Sequence, residues 1–513
     1  MNTNTKNKSG GVIFLRVLTV ALTTLLLLVA FLCFFAAVWY INIYGRTGFD
    51  SVIYTLSAGF SAVQSGLILS FLTGAALPAV LCSGVVALVL FFPGKKLFFL
   101  KLFGKERRVF PIRNSIAGLI GLALSLGLII HAAFNVELVE YIRNQLQNSE
   151  LYQREYKDPN DVTVTFPENK RNLVYIILES METSYLSTDQ GGALDHNLIP
   201  ELYRLAQNHT NFSHNDTVGG FSQLSGASWT VGSMVAQTGG VPLITPLGIS
   251  DVQNGYGKNG VFLPGLTTLQ NILHKNGYYQ TLMVGSDARY GGRKTYYGTH
   301  DVDNIYDLFT AREDGLIAED YRVWWGYEDL HLFEYAKQKL TEISQQEQPF
   351  AFTMLTADTH HVGGYPCKLC VRTYKENYDN VISCSSRQVY AFVQWLMEQP
   401  FYENTTIIIT GDHESMDAGY FQRNVPADYK RHIYNCFINA PVQTANTKNR
   451  QFSAMDMFPT TLAALGCTIE GNRLGLGVNL FSNLPTLTER LGYDVLNEEL
   501  AKRSAFYDQF YSE

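Results

Sequence analysis

The side chains best suited to chemistry in this sequence follow four separate apolar segments, each at the point where the segment ends. They are carboxylates and imidazoles: Glu179, Asp287, the pair His360 and His361, and the pair Asp412 and His413. Carboxylate and imidazole groups together suit a divalent cation such as Zn²⁺ or Mn²⁺. One acidic residue after a strand could simply cap the next helix, but four such positions favour a metal site.

A segment rich in Gly, Ser and Thr, residues 219–240, supplies a candidate nucleophile. Small residues let the backbone turn tightly and approach a ligand closely. Residues 229–236 have the composition of an apolar helix start, where backbone N–H groups suit an anion. Thr230 is the candidate hydroxyl, because coordination to a cation would favour its ionised, nucleophilic form. Residue chemistry alone does not separate Thr230 from Ser228, and either could instead be only an N-cap.

These groups together could catalyse transfer of a phosphoryl or sulfuryl group. We expect the metal ligands to be Glu179, Thr230, Asp412 and His413. We expect the remaining substrate oxygens and the leaving group to contact His360, His361, Asp287, Arg289, Arg293 and Lys294. Arg293 and Lys294 could instead lie on a solvated loop, and one of the two adjacent histidines could be structural.

Alternating strands and helices must position these residues. Short apolar runs predict buried strands over 173–179, 278–284, 350–355 and 405–410. Amphipathic segments between them predict helices over 196–208, 266–276, 330–345 and 386–397. This alternation predicts an α/β domain with a mostly parallel central sheet and helices on both faces. In such a sheet the carboxyl ends of the strands share one edge, so the polar residues would meet there.

The N-terminal part of the chain has a different composition. Residues 1–135 predict a transmembrane domain of about four helices, 12–42, 51–73, 76–93 and 112–134, because about 20 apolar residues span a bilayer. Two crossings within 51–93 require a tight hairpin at Gly74–Pro78, and without it there would be three. Residues 136–171 are expected to form a linker, and residues 172–513 the catalytic domain.

Charge indicates how the chain is oriented and what it does not bind. Residues 94–108 carry six Lys or Arg and should be cytoplasmic, which places everything after residue 136 outside. The net charge of −7 and the pI of about 5.9 give no basic footprint for nucleic acid.

Cysteines are distributed between both parts of the chain. Cys33 and Cys82 lie in the apolar N-terminal segments, and the other five lie in the expected external domain. Because disulfides persist outside the cytoplasm, we expect Cys384 to pair with Cys367 or Cys370. A redox or zinc function of the Cys367–Cys370 pair is the alternative, but the sequence has no second pair with zinc-site spacing.

Five segments resemble the alkaline phosphatase and sulfatase superfamily. They are NLVYIILES (172–180), GASWTVGSMVAQTGGVPL (226–243), TADTHHVGGY (356–365), NVISCSSRQV (380–389) and TIIITGDHESM (406–416). They follow the family order and come after a membrane segment. The sequence is most similar to the membrane-bound branch that contains lipoteichoic acid synthase, the phosphoethanolamine transferases and, nearest, the phosphoglycerol transferase of osmoregulated periplasmic glucans.

The resemblance implies roles for individual residues. Glu179, Asp412 and His413 correspond to the family's metal ligands, and Thr230, not Ser228, corresponds to its nucleophile. His360, in preference to His361, corresponds to the substrate-contacting histidine. The implied cofactor is one divalent cation, Mn²⁺ or Zn²⁺, with Mg²⁺ as a third choice.

The resemblance also implies an activity. The chain would be a bacterial inner-membrane protein with a periplasmic domain that moves glycerophosphate from phosphatidylglycerol, through a phospho-threonine, to a glycan and releases diacylglycerol. The sulfatase signature, Cys or Ser followed by x-Pro-x-Arg, is absent around Thr230, and residues 285–294 lack the His and Trp of lipoteichoic acid synthases. The alternatives are a phosphoethanolamine transferase acting on lipid A or another glycan, a phosphodiesterase or sulfatase-like hydrolase, and a non-catalytic membrane protein.

Overall fold

The chain forms two compact units. The computed structural model describes residues 4–45, 48–58, 65–92, 98–102, 105–110, 112–244, 260–302 and 304–512. The first unit comprises Met1–Arg46 and Val63–Glu140, and the second comprises Thr47–Ala62 and Tyr141–Glu513.

Apolar helices dominate the first unit. Within the described ranges, three helices are long and apolar enough to cross a membrane: Phe14–Tyr44, Gly66–Leu90 and Asn114–Asn135. The first belongs to a longer helix, Asn4–Tyr44. A two-stranded antiparallel hairpin, Phe98–Leu102 with Lys105–Phe110, lies between the second and third.

The prediction of a tight turn at Gly74–Pro78 is wrong. The backbone is helical without interruption through Ser65–Phe71, a π-helical turn at Leu72–Ala76, and Leu77–Leu90. Pro78 directly follows the π-helical turn, and a local π-helical adjustment is one way in which a continuous helix accommodates a proline. Gly74 serves close helix packing, since a methyl group there would lie 3.1 Å from the Trp39 ring.

The second unit contains the predicted mixed α/β architecture with a mostly parallel sheet. In the part of it that the structure describes, seven strands pair in the order Gly220–Phe221, Ile433–Ile438, Thr405–Gly411, Asn172–Leu178, Phe350–Leu355, Tyr279–Val284 and Asn304–Tyr306. The last five are mutually parallel, and Ile433–Ile438 is antiparallel to both of its neighbours.

Hydrophobic cores lie on both faces of this sheet. Along the central strand, Leu173, Tyr175 and Ile177 pack into one core, and the alternate residues Val174 and Ile176 pack into the other. Both sets are fully buried, which explains why the strand sequence is continuously apolar and does not alternate with polar residues.

Helices cover the two cores. Helices Thr230–Gly239 and Met457–Ala464 contribute to the first core, and helices Pro200–Asn208, Asp329–Ile343 and Asn377–Met397 to the second. The structure also describes the α-helices Phe49–Ala58, Leu138–Gln145, Leu151–Glu155, Leu269–Lys275, Arg293–Thr299, Leu308–Glu313, Ala418–Asn424, Leu487–Leu491 and Tyr493–Ala501. In the described part of the second unit, two short antiparallel strand pairs lie outside the main sheet: Val164–Thr165 with Thr468–Ile469, and Arg473–Leu474 with Gly477–Val478.

The expected disulfide is also wrong. The sulfurs of Cys367 and Cys370 are 3.8 Å apart, and those of Cys367 and Cys384 are 3.9 Å apart. A disulfide needs about 2.05 Å, so the three side chains are free thiols gathered in one cluster.

Candidate active site

Two adjacent parallel strands bring an acidic and an imidazole group together. Glu179 follows strand Asn172–Leu178, and Asp412 and His413 follow strand Thr405–Gly411, with Leu178 paired to Gly411 in register. Their side chains are 3%, 0% and 1% exposed, and their ligand atoms all lie within 4.8 Å of one another. The strand ends therefore converge at one edge of the sheet.

Asp412 has one satisfied and one unsatisfied carboxylate oxygen. Its Oδ1 accepts hydrogen bonds from the backbone N–H groups of Ser180 and His413, each at 2.7 Å. Its Oδ2 is buried and, among the residues the structure describes, has no hydrogen-bond partner. A buried carboxylate oxygen without a donor is costly unless a cation faces it.

His413 presents a fixed nitrogen to the same point. Its Nδ1 lies 2.8 Å from the carbonyl oxygen of Glu414, which makes Nδ1 the protonated nitrogen and leaves the Nε2 lone pair directed into the site. Nε2 is 3.3 Å from Asp412 Oδ2 and 3.6 Å from Glu179 Oε1. Such a backbone hydrogen bond is the usual device that orients a metal-binding histidine.

Thr230 is the first residue of helix Thr230–Gly239 and lies against the same cluster. Its Oγ1 donates to Glu179 Oε2 at 3.2 Å and is 3.4 Å from His413 Nε2. The helix is fixed to the strand end because Ser233 Oγ donates to the Asp412 carbonyl at 2.5 Å. Gln237 Nε2 also donates to the backbone carbonyl of Gly411, the residue before Asp412, at 3.1 Å.

Small hydroxyl residues that the sequence analysis did not identify hold Glu179. The Thr356 hydroxyl accepts from the Glu179 N–H at 3.0 Å, and the Thr359 hydroxyl donates to the Glu179 carbonyl at 2.5 Å. Ser180 Oγ donates to Glu179 Oε1 at 2.8 Å. Both threonines belong to the loop after strand Phe350–Leu355, so neighbouring strand ends brace each other.

The electrostatics of the cluster favour a bound cation. Burial, and then the Glu179 carboxylate, raise the pKa of Asp412 to about 7. Burial opposes ionisation of Glu179, but His360 and His413 outweigh it and lower its pKa. Burial likewise opposes protonation of His413, but Asp412 and Glu179 outweigh it and raise its pKa. Two buried carboxylates thus compete for positive charge that the neighbouring imidazoles supply only in part.

His360 and His361 lie next to an aromatic side chain absent from the predicted set. The His360 and His361 rings stack with centroids 4.3 Å apart, and the Trp325 ring lies 4.6 Å from His360. Burial lowers the pKa of His360, and the nearby Glu179 carboxylate partly opposes this. The only sequence signal for Trp325 was a pair of tryptophans in a loop, which by itself does not indicate a site.

The remaining predicted residues follow strand Tyr279–Val284, and the structure places them in different environments. Arg293 is 6% exposed and donates to Ser286 Oγ at 3.0 Å, and its positive charge acts on the His360 ring. Asp287 and Arg289 form an ion pair with each other at 2.9 Å, in which the Arg289 side chain is 65% exposed. Lys294 is exposed. Arg293 is therefore the cation of this loop that lies inside the protein.

A buried ion pair supports the segment that follows His413. The Glu182 carboxylate is 0% exposed and accepts from Arg431 Nε at 2.7 Å and from the Ser415 N–H at 2.9 Å. Arg431 Nη1 also lies 3.6 Å from Glu414 Oε2. Charge-assisted hydrogen bonds to Glu182 thus fix the backbone that directly follows His413.

These donors fit a divalent cation. Glu179, Asp412 and His413 offer two carboxylates and one imidazole nitrogen, and Thr230 adds a hydroxyl oxygen. Asp412 Oδ2 is buried, accepts no hydrogen bond among the described residues and has the His413 Nε2 atom 3.3 Å away, which is the observation that most directly supports a cation at this point.

Comparison with known proteins agrees with this architecture. The protein-family model described as Sulfatase matches residues 171–467. Phosphoglycerol transferase I of Salmonella choleraesuis (strain SC-B67) is 28% identical over 443 residues, which cover 84% of this chain and 53% of the relative. The Salmonella typhimurium protein of the same name is 28% identical over 438 residues, covering 83% and 52%. The chain therefore spans about half the length of these curated relatives.

Solved structures share the fold. An alkaline phosphatase superfamily protein from Vibrio parahaemolyticus superposes with a TM-score of 0.50 at 20% identity, covering 69% of this chain and 80% of that one. The integral membrane lipooligosaccharide phosphoethanolamine transferase A of Neisseria meningitidis gives 0.51 at 13% identity, covering 88% and 84%.

Proposed function

Because the chain belongs to the sulfatase family, we propose that it is a metal-dependent phosphotransferase that moves glycerophosphate from phosphatidylglycerol to a sugar hydroxyl of a periplasmic or surface glycan. The name of the curated relatives, phosphoglycerol transferase I, supports the choice of transferred group. The observation that carries the proposal is the Thr230 hydroxyl at a helix start, 3.2 Å from Glu179 Oε2 and 3.4 Å from His413 Nε2.

The proposed metal ligands are Glu179, Thr230, Asp412 and His413. This donor set suits Mn²⁺ or Zn²⁺, with Mg²⁺ as a third choice. When bound, the cation would favour ionisation of the hydroxyl and withdraw charge from a phosphoryl oxygen.

The first chemical step exchanges one phosphorus–oxygen bond for another. Thr230 Oγ1 gives up its proton on the side of the Glu179 carboxylate and forms a bond to the phosphorus of the donor lipid. The bond from phosphorus to the diacylglycerol oxygen breaks, and that oxygen takes up a proton and leaves as diacylglycerol. The N–H groups at the start of the Thr230–Gly239 helix favour the anionic phosphoryl group.

The second step reverses the roles of the oxygens. A sugar hydroxyl loses its proton and bonds to the phosphorus, and the bond to Thr230 Oγ1 breaks, which restores the free hydroxyl. His360 and Arg293 are the proposed contacts of the phosphoryl oxygens and the leaving group, because Arg293 is buried, His360 is half-buried beside the metal-site residues, and the charge of Arg293 acts on the His360 ring. The remaining proposed substrate contacts are His361, Asp287, Arg289 and Lys294.

We propose that residues 1–135 are embedded in a bacterial inner membrane with three crossings, since three helices have the required length and hydropathy. Residues 136–171 are the proposed connection to a periplasmic catalytic domain of residues 172–513, and from Tyr141 onward this connection packs as part of the second unit. The basic segment 94–108 supports this orientation. Anchoring in the bilayer would raise the effective concentration of a lipid donor at the site.

The deciding experiment follows diacylglycerol release from labelled phosphatidylglycerol. Purified full-length protein in detergent with Mn²⁺ is compared with Thr230→Ala and with Thr341→Ala, a matched control on an exposed helix surface. We expect release by the wild type and by Thr341→Ala, and a loss of at least about 1000-fold in Thr230→Ala, because the proposed covalent step requires the Thr230 hydroxyl.

Other outcomes would redirect the assignment. Release only from phosphatidylethanolamine identifies a phosphoethanolamine transferase, and transfer of the group only to water identifies a hydrolase. Activity that survives in Thr230→Ala would show that Thr230 is not the nucleophile, with Ser228 next to test.

A further inference from the structure

A second cluster of potential metal ligands lies apart from the proposed catalytic centre. Cys367 and Cys370 lie in the loop between strand Phe350–Leu355 and helix Asn377–Met397, and Cys384 lies on that helix. Their three sulfurs all lie within 4.8 Å of one another. Cys367 and Cys384 are 5% and 1% exposed, while Cys370 is partly exposed.

The spacing of the sulfurs matches tetrahedral metal coordination. Zinc–thiolate bonds of about 2.3 Å at tetrahedral angles place two sulfurs about 3.8 Å apart. The Cys367 sulfur lies 3.8 Å from that of Cys370 and 3.9 Å from that of Cys384. A third sulfur at such a distance has no function in a disulfide, which joins only two.

The surroundings of the cluster supply donors to the sulfurs. Gln388 Nε2 donates to the Cys384 sulfur at 3.5 Å and lies 3.8 Å from the Cys367 sulfur. Donors of this kind stabilise thiolates and are the outer partners that metal-bound sulfur requires. A tight turn between the two loop cysteines is closed by the Cys370 N–H, which donates to the Cys367 carbonyl at 3.0 Å.

We propose that Cys367, Cys370 and Cys384 form a binding site for a thiophilic divalent cation, Zn²⁺ in the first instance. On binding, each thiol releases its proton to solvent and forms one metal–sulfur bond, and water completes the four-coordinate shell. No oxidant is needed. The site does not depend on the proposed function, because its donors are sulfur and those of the proposed catalytic centre are oxygen and nitrogen.

The site would fasten a loop that begins at the proposed substrate histidines. The chain runs from His360 and His361 through the two loop cysteines to helix Asn377–Met397. Joining Cys367 and Cys370 to Cys384 therefore fixes both ends of a segment that in the described chain contains turns but no helix or strand. The cation would stabilise this region in the way that structural zinc sites stabilise small loops.

Cobalt substitution tests the proposal directly. Full-length protein in detergent, with thiols reduced and metals removed, is titrated with Co²⁺ alone. We expect a near-ultraviolet thiolate-to-cobalt charge-transfer band that saturates at about one Co²⁺ per chain and is displaced by Zn²⁺. Cobalt bound by oxygen and nitrogen donors gives no such band, so failure of this proposal is distinct from failure of the proposed function.

Variants make the test specific. The band should disappear in Cys384→Ser and in Cys370→Ser, and persist in Cys467→Ala, whose thiol lies outside the cluster. Cys370→Ser carries the test if Cys384→Ser fails to fold, because Cys370 is the partly exposed member. Metal analysis of protein as isolated should show about one Zn²⁺ per chain fewer in Cys370→Ser than in the wild type.

Two results would overturn the proposal. One is a folded, reduced wild type that shows no charge-transfer band. The other is protein as isolated whose mass after alkylation shows two of the three cysteines joined in a disulfide.

Discussion

At the scale of single residues, the proposed metal site depends on where each lone pair is directed. The hydrogen bond from His413 Nδ1 to the Glu414 carbonyl leaves Nε2 as the ligand atom, and the two N–H groups on Asp412 Oδ1 leave Oδ2 as the other. Glu179 faces both of these atoms and also Thr230. The backbone thus sets the direction of the ligands before any cation arrives.

We expect Glu179→Gln to weaken divalent-metal binding at least about tenfold, because a neutral amide replaces one of two buried carboxylates. Isothermal titration of the full-length protein with Mn²⁺, which carboxylates bind better than thiols do, measures this change. Glu347→Gln makes the same substitution at an exposed position and should leave the affinity unaltered. Equal affinity in the two variants would remove Glu179 from the ligand set.

A pair of stacked histidines outside the proposed ligand set should contribute to the pH dependence of stability at mildly acid pH. The rings of His214 and His432 lie 3.4 Å apart, and burial lowers their pKa values to about 4 and about 3. The unfolded chain protonates both rings below about pH 6.5, while the folded protein keeps them neutral. The free energy of unfolding should therefore fall as the pH drops from about 6.5 toward 4.

Replacing one ring tests this effect. In His432→Gln the fall in the free energy of unfolding between pH 6.5 and pH 4 should shrink by on the order of 2 kcal/mol, measured by denaturant unfolding at each pH. The exposed His274→Gln should keep the wild-type slope. An unchanged slope in His432→Gln would mean that other groups titrate over this range.

At the scale of secondary structure, the sequence was most informative where burial is strongest. The four site strands were predictable because each is a short apolar run that ends in a polar residue, and parallel strands place those ends on one edge. Glu179, Asp412 and His413 came together for that reason alone. The start of the Thr230–Gly239 helix was likewise visible as small residues before an apolar run.

Side-chain direction in the loops could not be predicted in the same way. Arg289 and Arg293 have the same chemistry and lie four residues apart, yet one pairs with Asp287 near solvent and the other points inward to Ser286. Trp325 reaches His360 from a distant part of the chain. Such choices depend on tertiary packing, which leaves no local pattern. The π-helical turn at Leu72–Ala76 is a similar case, because a Gly- and Pro-containing segment resembles a hairpin turn.

Gly411 ends the strand that carries Asp412, and its lack of a side chain is required. A Cβ atom there would lie 2.0 Å from the Met181 carbonyl oxygen, so Gly411→Ala should lower the free energy of unfolding by about 3 kcal/mol. Displacement of Asp412 should also weaken metal binding. Gly298→Ala is the matched control, since a Cβ there meets nothing within 4 Å and a helical alanine should stabilise by up to about 1 kcal/mol. Similar stability of the two variants would contradict the steric argument.

The Arg431–Glu182 pair predicts a contrast between buried and exposed ion pairs. Arg431→Gln leaves the Glu182 carboxylate, which is 0% exposed, without its charge partner, and this should cost about 3–5 kcal/mol of unfolding free energy. Arg423→Gln breaks a more exposed pair with Glu376 and should cost less than about 1 kcal/mol. Denaturant unfolding of both variants measures the difference, and equal losses would argue against a structural role of the buried pair.

At the scale of the whole molecule, the orientation proposed for the two units gives a labelling pattern. A cysteine introduced at Thr341, on an exposed helix surface of the second unit, should react with a membrane-impermeant maleimide in intact spheroplasts. A cysteine at Lys101, within the basic segment 94–108, should react only after permeabilisation. The unsubstituted chain gives the background from its native cysteines. The reverse pattern would place the second unit in the cytoplasm.

The edge strands of the central sheet affect how copies of the protein behave when they are crowded together. In the described part of the second unit its outermost strands, Gly220–Phe221 and Asn304–Tyr306, are two and three residues long. A strand this short exposes too few unpaired amides to template pairing with another chain. Many copies held at high density on one surface should therefore stay as separate molecules instead of joining edge to edge into β-aggregates.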